Sequence, residues 1–315
     1  MVESYPNDVA YSVLTRLDDV ADIIRVAAVS RSWRNFVINN GISKKLCLKK
    51  APTLSIIDNV VDRDEVCYTL NGVDGRNPER DHTMYSYLLR AMSMDSPTNC
   101  IDCIIGASST NIYPMQSLVN VMVARDKYIW GVSYWSSKGQ RDPNILDYTQ
   151  FRLQSKVCVV NEIQIRHSEA FWEPGTPVYS AKSVRFQMGH PKYIADFNVD
   201  YKNLSLQQLA DHFVWTYTSP EFPMTQESCL QSFKLPEPTI CIGGFFKIEF
   251  LGITQKKELD DLFYLCMGEI RILGRPLGPA FDIQICQTGD FSLIYWPENV
   301  RSILENPIKS SLDFT

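Results

Sequence analysis

The sequence predicts an α+β protein, with short helices gathered at the N-terminus and an all-β sandwich filling most of the remainder. Two observations carry this. Up to residue 41 the apolar residues recur at helical spacing in three short runs. From residue 99 to 288 they alternate instead, in short runs broken by turn residues, which is the pattern of half-buried strands. The prolines agree: Pro220, Pro223, Pro236 and Pro238 fall between alternating runs, where a missing N–H breaks no ladder.

The helices are justified in order. Pro6 suits a first helical turn and Asp8 the positive end of the helix dipole, with Ser4 or Tyr5 as the cap. Val9, Val13, Leu14 and Leu17 then share one face. Asp18 and Asp19 interrupt and can cap a second helix, whose stripe is Val20, Ile23, Ile24, Ala27 and Ala28. Ser30 offers a cap for a third, with Trp33, Phe36 and Val37 inward, and Asn39-Asn40-Gly41 is its stop. Three such helices bury too little to stand alone. They need a partner chain or the rest of the protein, and periodicity does not choose between a module that docks on another chain and a structural cap.

Residues 49–98 read as a helical connector. A turn-rich stretch from Gly72 to Asp81 precedes a helix over His82–Ala91, capped by Asp81, with Tyr85, Leu88 and Leu89 on one side. The strands follow: Ile101–Ala107, Lys156–Arg166, Ser183–Met188, Phe213–Thr218, Phe246–Phe250 and Met267–Leu273. In Lys156–Arg166, Val157, Val159, Ile163 and Ile165 are in phase. In Ser183–Met188, Val184, Phe186 and Met188 oppose Arg185 and Gln187. Residues 289–315 are a C-terminal tail.

Bulk properties narrow the function. The 315 residues are 45% hydrophobic and 21% charged, values of an ordinary globular chain. A net charge of −5 without a basic stripe predicts no nucleic-acid partner. No apolar run is long enough to span a membrane, and Met1–Pro6 lacks the features of a secretory leader. Nine unframed cysteines predict a reduced compartment, the nucleus and/or cytoplasm.

Three blocks of residues then carry a resemblance. Tyr5-Pro6-Asn7-Asp8-Val9, Val13-Leu14-Thr15-Arg16-Leu17 and Val26 to Arg34, with Val29, Ser30, Trp33 and Arg34 at signature positions, resemble the F-box family. Tyr5 stands where Leu is usual, Asp18 replaces a common Pro, and the loop between the first two helices, with Asp18-Asp19, is one residue longer than usual. Ser133 to Gly139, Cys241 to Gly252 and Phe263 to Arg275 resemble discoidin-type, galactose-binding-like jelly rolls. Tyr179 to Lys182, Trp215 to Pro223 and Gly274 to Leu277 resemble motifs of a plant group of F-box proteins. The resemblance implies a three-helix F-box module at 1–48, followed by a jelly-roll-like target-recognition sandwich at 99–288.

It also implies a role: the substrate-recognition subunit of a cullin-based SCF-type ubiquitin ligase. Its partners would be a Skp-type adaptor, the cullin scaffold and a target, which a glycan-binding sandwich would allow to be glycosylated. Tyr5, Pro6, Val9, Val13, Leu14 and Leu17 would face the adaptor, with some of them turned to the module's own core. Trp33 would pack internally. The alternative is a lectin-like, ligand-binding sandwich with a structural helical cap.

Chemistry is expected to be absent. Cys100-Ile101-Asp102-Cys103 lacks the further ligands that zinc needs, and the four histidines are dispersed, so neither metal nor cofactor is expected. No phosphate loop and no nucleophile elbow occurs, and no catalytic residue is expected. The surface candidates are Tyr134, Trp135, Ser136 and Lys138, for ligand contact; the competing reading sets Trp135 in the sandwich core. For Trp215, Tyr217, Phe222 and Pro223 core or loop packing is expected.

Overall fold

The computed structural model describes residues 7–17, 20–62, 77–94, 97–122, 133–192, 201, 212–285 and 291–300. Tyr5, Pro6, the Asp18-Asp19 junction and the turn at 72–76 lie outside these. The helices are α1 (Asn7–Leu14), α2 (Val20–Val29), α3 (Arg31–Asn39), α4 (Ile42–Lys50) and α5 (Pro78–Met92). The strands begin with β1 (Ile57–Asp62), β2 (Thr98–Asn99), β3 (Ile101–Ala107), β4 (Trp135–Ser136) and β5 (Asp147–Leu153). Next come β6 (Val157–His167), β7 (Ala181–Pro191), β8 (Phe213–Thr218), β9 (Phe222–Pro223), β10 (Leu230–Ile242) and β11 (Phe245–Ile253). A small hairpin of β12 (Lys256–Lys257) and β13 (Leu262–Phe263) leads to β14 (Cys266–Pro276), β15 (Phe281–Ile285) and β16 (Phe291–Tyr295).

The chain forms two compact units. The first joins Met1–Ser96, Glu237–Ile240 and Leu277–Thr315; the second joins Pro97–Pro236 and Cys241–Pro276. The sandwich closes at Pro276 rather than 288, and part of the expected tail is strand β16. That strand pairs in parallel with β1 and antiparallel with β15, giving a three-stranded sheet in the helical unit. No local pattern announces a pairing between residues so far apart in sequence.

In the helical unit, α3 starts where expected. Ser30 is extended (φ −161°) and its Oγ accepts from the Trp33 N–H at 3.2 Å. Gly41 takes φ +58°, the left-handed turn of the predicted stop. A fourth helix then follows, burying Ile42, Leu46 and Cys47. α5 begins four residues before the expected start. Asn77, not Asp81, is the cap, and its Oδ1 accepts from the Glu79 and Arg80 N–H groups at 3.1 and 3.2 Å. Pro78 therefore opens the helix rather than ending a loop. Tyr85, Leu88 and Leu89 are buried as expected.

Unit two is a sandwich of two sheets. One runs β10-β6-β14-β2, with β4 on β14; the other runs β3-β5-β11-β7-β8, with β9 on β7. Phe186, Phe246, Phe250, Ile163, Ile270 and Trp135 meet in one core. Val184, Phe186 and Met188 on β7 are inward as predicted. The β6 phase is different. A register shift beside Asn161 puts Cys158 and Val160 into the same cluster as Ile163 and Ile165, and removes Val157 and Val159 from it. One extra residue on a strand exchanges its faces. Pro236 and Pro238 also fall inside a strand, β10. That strand is at a sheet edge, where an absent N–H is tolerated. The β10–β11 bend is Gly243-Gly244 (φ +99° and +75°), and a Cβ on Gly243 would lie 2.2 Å from His190 Cβ.

Candidate functional site

Two surfaces, one on each unit, leave large apolar side chains in solvent. The first is on the N-terminal helices. In α1, Ala10 and Leu14 are one turn apart and buried. Val9 and Val13 form the neighbouring stripe and are 46% and 56% exposed. In α2, Ile23 is buried while Ile24 and Val29 are 42% and 70% exposed. Much of the α2 stripe that periodicity assigned to a core is therefore open.

This sorts the residues expected to face an adaptor. Val9 and Val13 are available, and Leu17 is half-buried. Leu14 is not available: it points into the unit, so its expectation as a contact residue is corrected. Tyr5 and Pro6 lie outside the described residues. Trp33 is only half-buried and meets Phe36 edge-on, with centroids 6.0 Å apart, so its expected internal burial is partial. Side-chain contacts brace the helices. Lys45 Nζ lies 4.5 Å from the Tyr11 ring centroid and donates to its hydroxyl, tying α4 to α1. Ser43 Oγ is 2.8 Å from His82 Nδ1, tying α4 to α5.

The second surface belongs to the sandwich. Trp135 is fully buried; its Nε1 donates to the Ser109 carbonyl at 3.1 Å, and its ring lies 6.3 Å from Phe250. Ser136 is buried beside it, on a strand paired with β14. Trp135 and Ser136 are thus core residues, and their expectation as ligand contacts is withdrawn: β4 closes the sandwich rather than lining its rim. Lys138 is exposed.

Tyr134 is half-buried and stacks on Trp172, with centroids 4.9 Å apart and 18° between planes. Gln116 Nε2 donates to the Tyr134 hydroxyl at 2.6 Å. Burial pushes that hydroxyl's pKa up to about 12, keeping it protonated at neutral pH. Phe171 and Trp172 are 52% and 51% exposed. Trp172 Nε1 donates to Glu173 Oε1 at 3.1 Å, and Tyr179 donates to the other Glu173 oxygen. The carboxylate therefore holds the exposed indole in place. A second loop lies against this stack, because Asn120 Nδ2 donates to the Tyr134 and Met115 carbonyls at 2.8 and 2.7 Å. It carries exposed Ile112, Tyr113, Met115 and Val119.

The sequence reading missed Phe171 and Trp172. Their signal was present, since an aromatic pair followed by Glu173-Pro174-Gly175-Thr176-Pro177 sits in turn-forming context and has no strand to bury it. Trp215, Tyr217 and Phe222 are all half-buried, and Phe222 packs on Phe186 at 5.5 Å and Phe233 at 6.0 Å. Pro223 is exposed. Among the described residues no group of three or more His, Cys, Asp or Glu is placed to hold a metal.

Fold and surfaces define a class: a helical unit with exposed apolar side chains followed by a β-sandwich with aromatic loops. Residues 3–49 match the F-box-like family. An F-box protein of Arabidopsis thaliana is 37% identical over 310 residues, covering 93% of this chain and 81% of its own. The chain belongs to the F-box protein family. The sandwich is similar to solved structures at lower identity. One is the family 32 carbohydrate-binding module of C. perfringens NanJ in complex with galactose: TM-score 0.33, 11% identity, covering 53% of this chain and 90% of that one. Another is the family 32 module of Streptococcus pneumoniae EndoD: TM-score 0.35, 11% identity, covering 56% and 98%. A third is allantoicase of Saccharomyces cerevisiae: TM-score 0.40, 11% identity, covering 64% and 55%.

Proposed function

We propose that this protein is the substrate-recognition subunit of a cullin-based SCF-type ubiquitin ligase. The observation that carries the reading is the set of exposed apolar side chains on the family-matched helices, Val9, Val13, Ile24 and Val29. An unpaired set of this kind on a small helical unit calls for a partner groove. A Skp-type adaptor would cover it and link the chain to the cullin. The sandwich would hold a target protein at the Tyr134–Trp172 stack and its neighbouring loops. In this reading the chain catalyses nothing. It raises the local concentration of target beside the ligase's own enzymes. Its place of work is the nucleus and/or cytoplasm.

The test is capture of full-length protein by a purified Skp-type adaptor and cullin. Wild type is expected to bind and Val13→Asp to lose binding while keeping its melting temperature. Absence of wild-type binding would defeat the reading. The exposed Tyr134–Trp172 stack favours one second reading, a saccharide-binding module, because aromatic faces are platforms for sugar rings as well as for peptides. A glycan array with the same protein separates the two: a glycan hit without adaptor capture would select the second.

A further inference from the structure

We propose that the adaptor's footprint extends past the family-matched residues 3–49 onto α5, and that a cleft between α2, α3 and α5 receives an acidic segment of that adaptor. This rests on the reading above.

The cleft measures ≈ 380 Å³. One wall is Ile24, Ala27 and Ala28 of α2, of which Ile24 is one of the exposed apolar residues just described and Ala28 is exposed beside it. The cleft is thus continuous with the surface assigned to the adaptor. The other wall is α5, which contributes Tyr87, His82 and Arg90. α5 lies outside the F-box-like match, so nothing in the family assignment predicts its participation.

Charge selects the occupant. Three ionisable side chains besides Tyr87 line the cleft: Arg34, His82 and Arg90. Arg34 is already neutralised by an ion pair with Glu79. His82 is held below its ordinary value, first by burial and then by Arg34, so it is neutral at pH 7. Its Nδ1 is engaged with Ser43. Arg90 is exposed, in the last turn of α5, with no hydrogen-bond or ion-pair partner among the described residues. The cleft therefore presents an apolar floor and one uncompensated cation. A segment with apolar side chains and a carboxylate matches both; a basic segment is repelled.

The experiment measures adaptor affinity for the full-length chain by biolayer interferometry, at low and high salt. Arg90→Glu is expected to weaken binding about tenfold, as for an attractive rim charge made repulsive, with the gap closing at high salt. Arg90→Lys keeps the charge and is expected to bind like wild type. Ala28→Trp, at an exposed position, fills the cleft and is expected to lose binding while circular dichroism stays unchanged. If wild type binds, Val13→Asp does not, and both Arg90→Glu and Ala28→Trp bind normally, the extension onto α5 is overturned and the adaptor reading stands. If wild type fails to bind, it is the adaptor reading itself that falls.

Discussion

Strand β7 and helix α2 are both amphipathic by sequence, and they end differently. On β7, every residue assigned to the core, Val184, Phe186 and Met188, is sealed from water. On α2, Ile23 is sealed but Ile24 is 42% exposed, and Val29 at the helix end is 70% exposed. The sandwich uses most of its apolar periodicity for itself, and most of its exposed apolar residues sit outside the strands, in segments such as 111–119 and 168–178, with Val214 on β8 and Leu230 at the start of β10 the exceptions. The helical unit leaves apolar residues exposed along its regular elements. The contrast separates a fold that covers its own apolar periodicity from one that leaves part of it bare.

Four measurements would break or sharpen this contrast. The largest effect is expected at Trp135. Its truncation to Ala should cost about 3–5 kcal/mol in urea unfolding, since the indole fills the sandwich core and its N–H is paired with Ser109. A loss below about 1 kcal/mol would mean that the core tolerates what the structure treats as central.

Next is a pair one residue apart. Leu14→Ala should destabilise the helical unit by about 2–4 kcal/mol, whereas Val13→Asp should change stability by no more than about 0.5 kcal/mol. Thermal melts decide it. Equal effects would erase the distinction between the buried and exposed stripes of α1.

The third tests how tightly the sandwich is closed. His167 is buried, which lowers its pKa from 6.5 to about 4. The unfolded chain then binds a proton in that window and the folded one does not, so stability must fall as pH drops from 6.5 toward 4. Between pH 7 and pH 5 the loss should be about 2 kcal/mol, and His167→Gln should flatten that slope. An unchanged slope would assign the acid sensitivity elsewhere.

The fourth expected loss, the smallest, is at Trp172. Its replacement by Ala should cost about 1 kcal/mol, the worth of its stack on Tyr134, because half the side chain is already in water. Proximity labelling with the proteasome blocked should nonetheless lose its specific targets. Retention of those targets would remove the Tyr134–Trp172 stack from the recognition surface.

Much of this architecture was legible beforehand, and the misses share a cause. Ile101–Ala107 and Phe213–Thr218 are strands with the predicted bounds, and Ser30 caps α3, because alternation and capping are properties of a few adjacent residues. Leu14 and Val13 are equally apolar and both lie on α1, yet only one is buried. Trp135 carried two readings, ligand contact and sandwich core, and is core, while Trp172, in a Pro- and Gly-rich loop, is the exposed one. What differs is the neighbour, and the neighbour is remote in sequence: Ser109 for Trp135, Tyr134 for Trp172.

By itself the sequence determined the α+β class, the positions of most helices and of the six strands it named, and the family blocks between residues 5 and 34. Each depends on local periodicity, turn chemistry or residue identity. Only the tertiary structure decided that β16 pairs with β1, that a bulge at Asn161 turns Cys158 and Val160 into the core, and which apolar stripe stays bare. The reason is physical: periodicity states which side of an element avoids water, and only packing between distant segments decides whether anything in the same chain covers it.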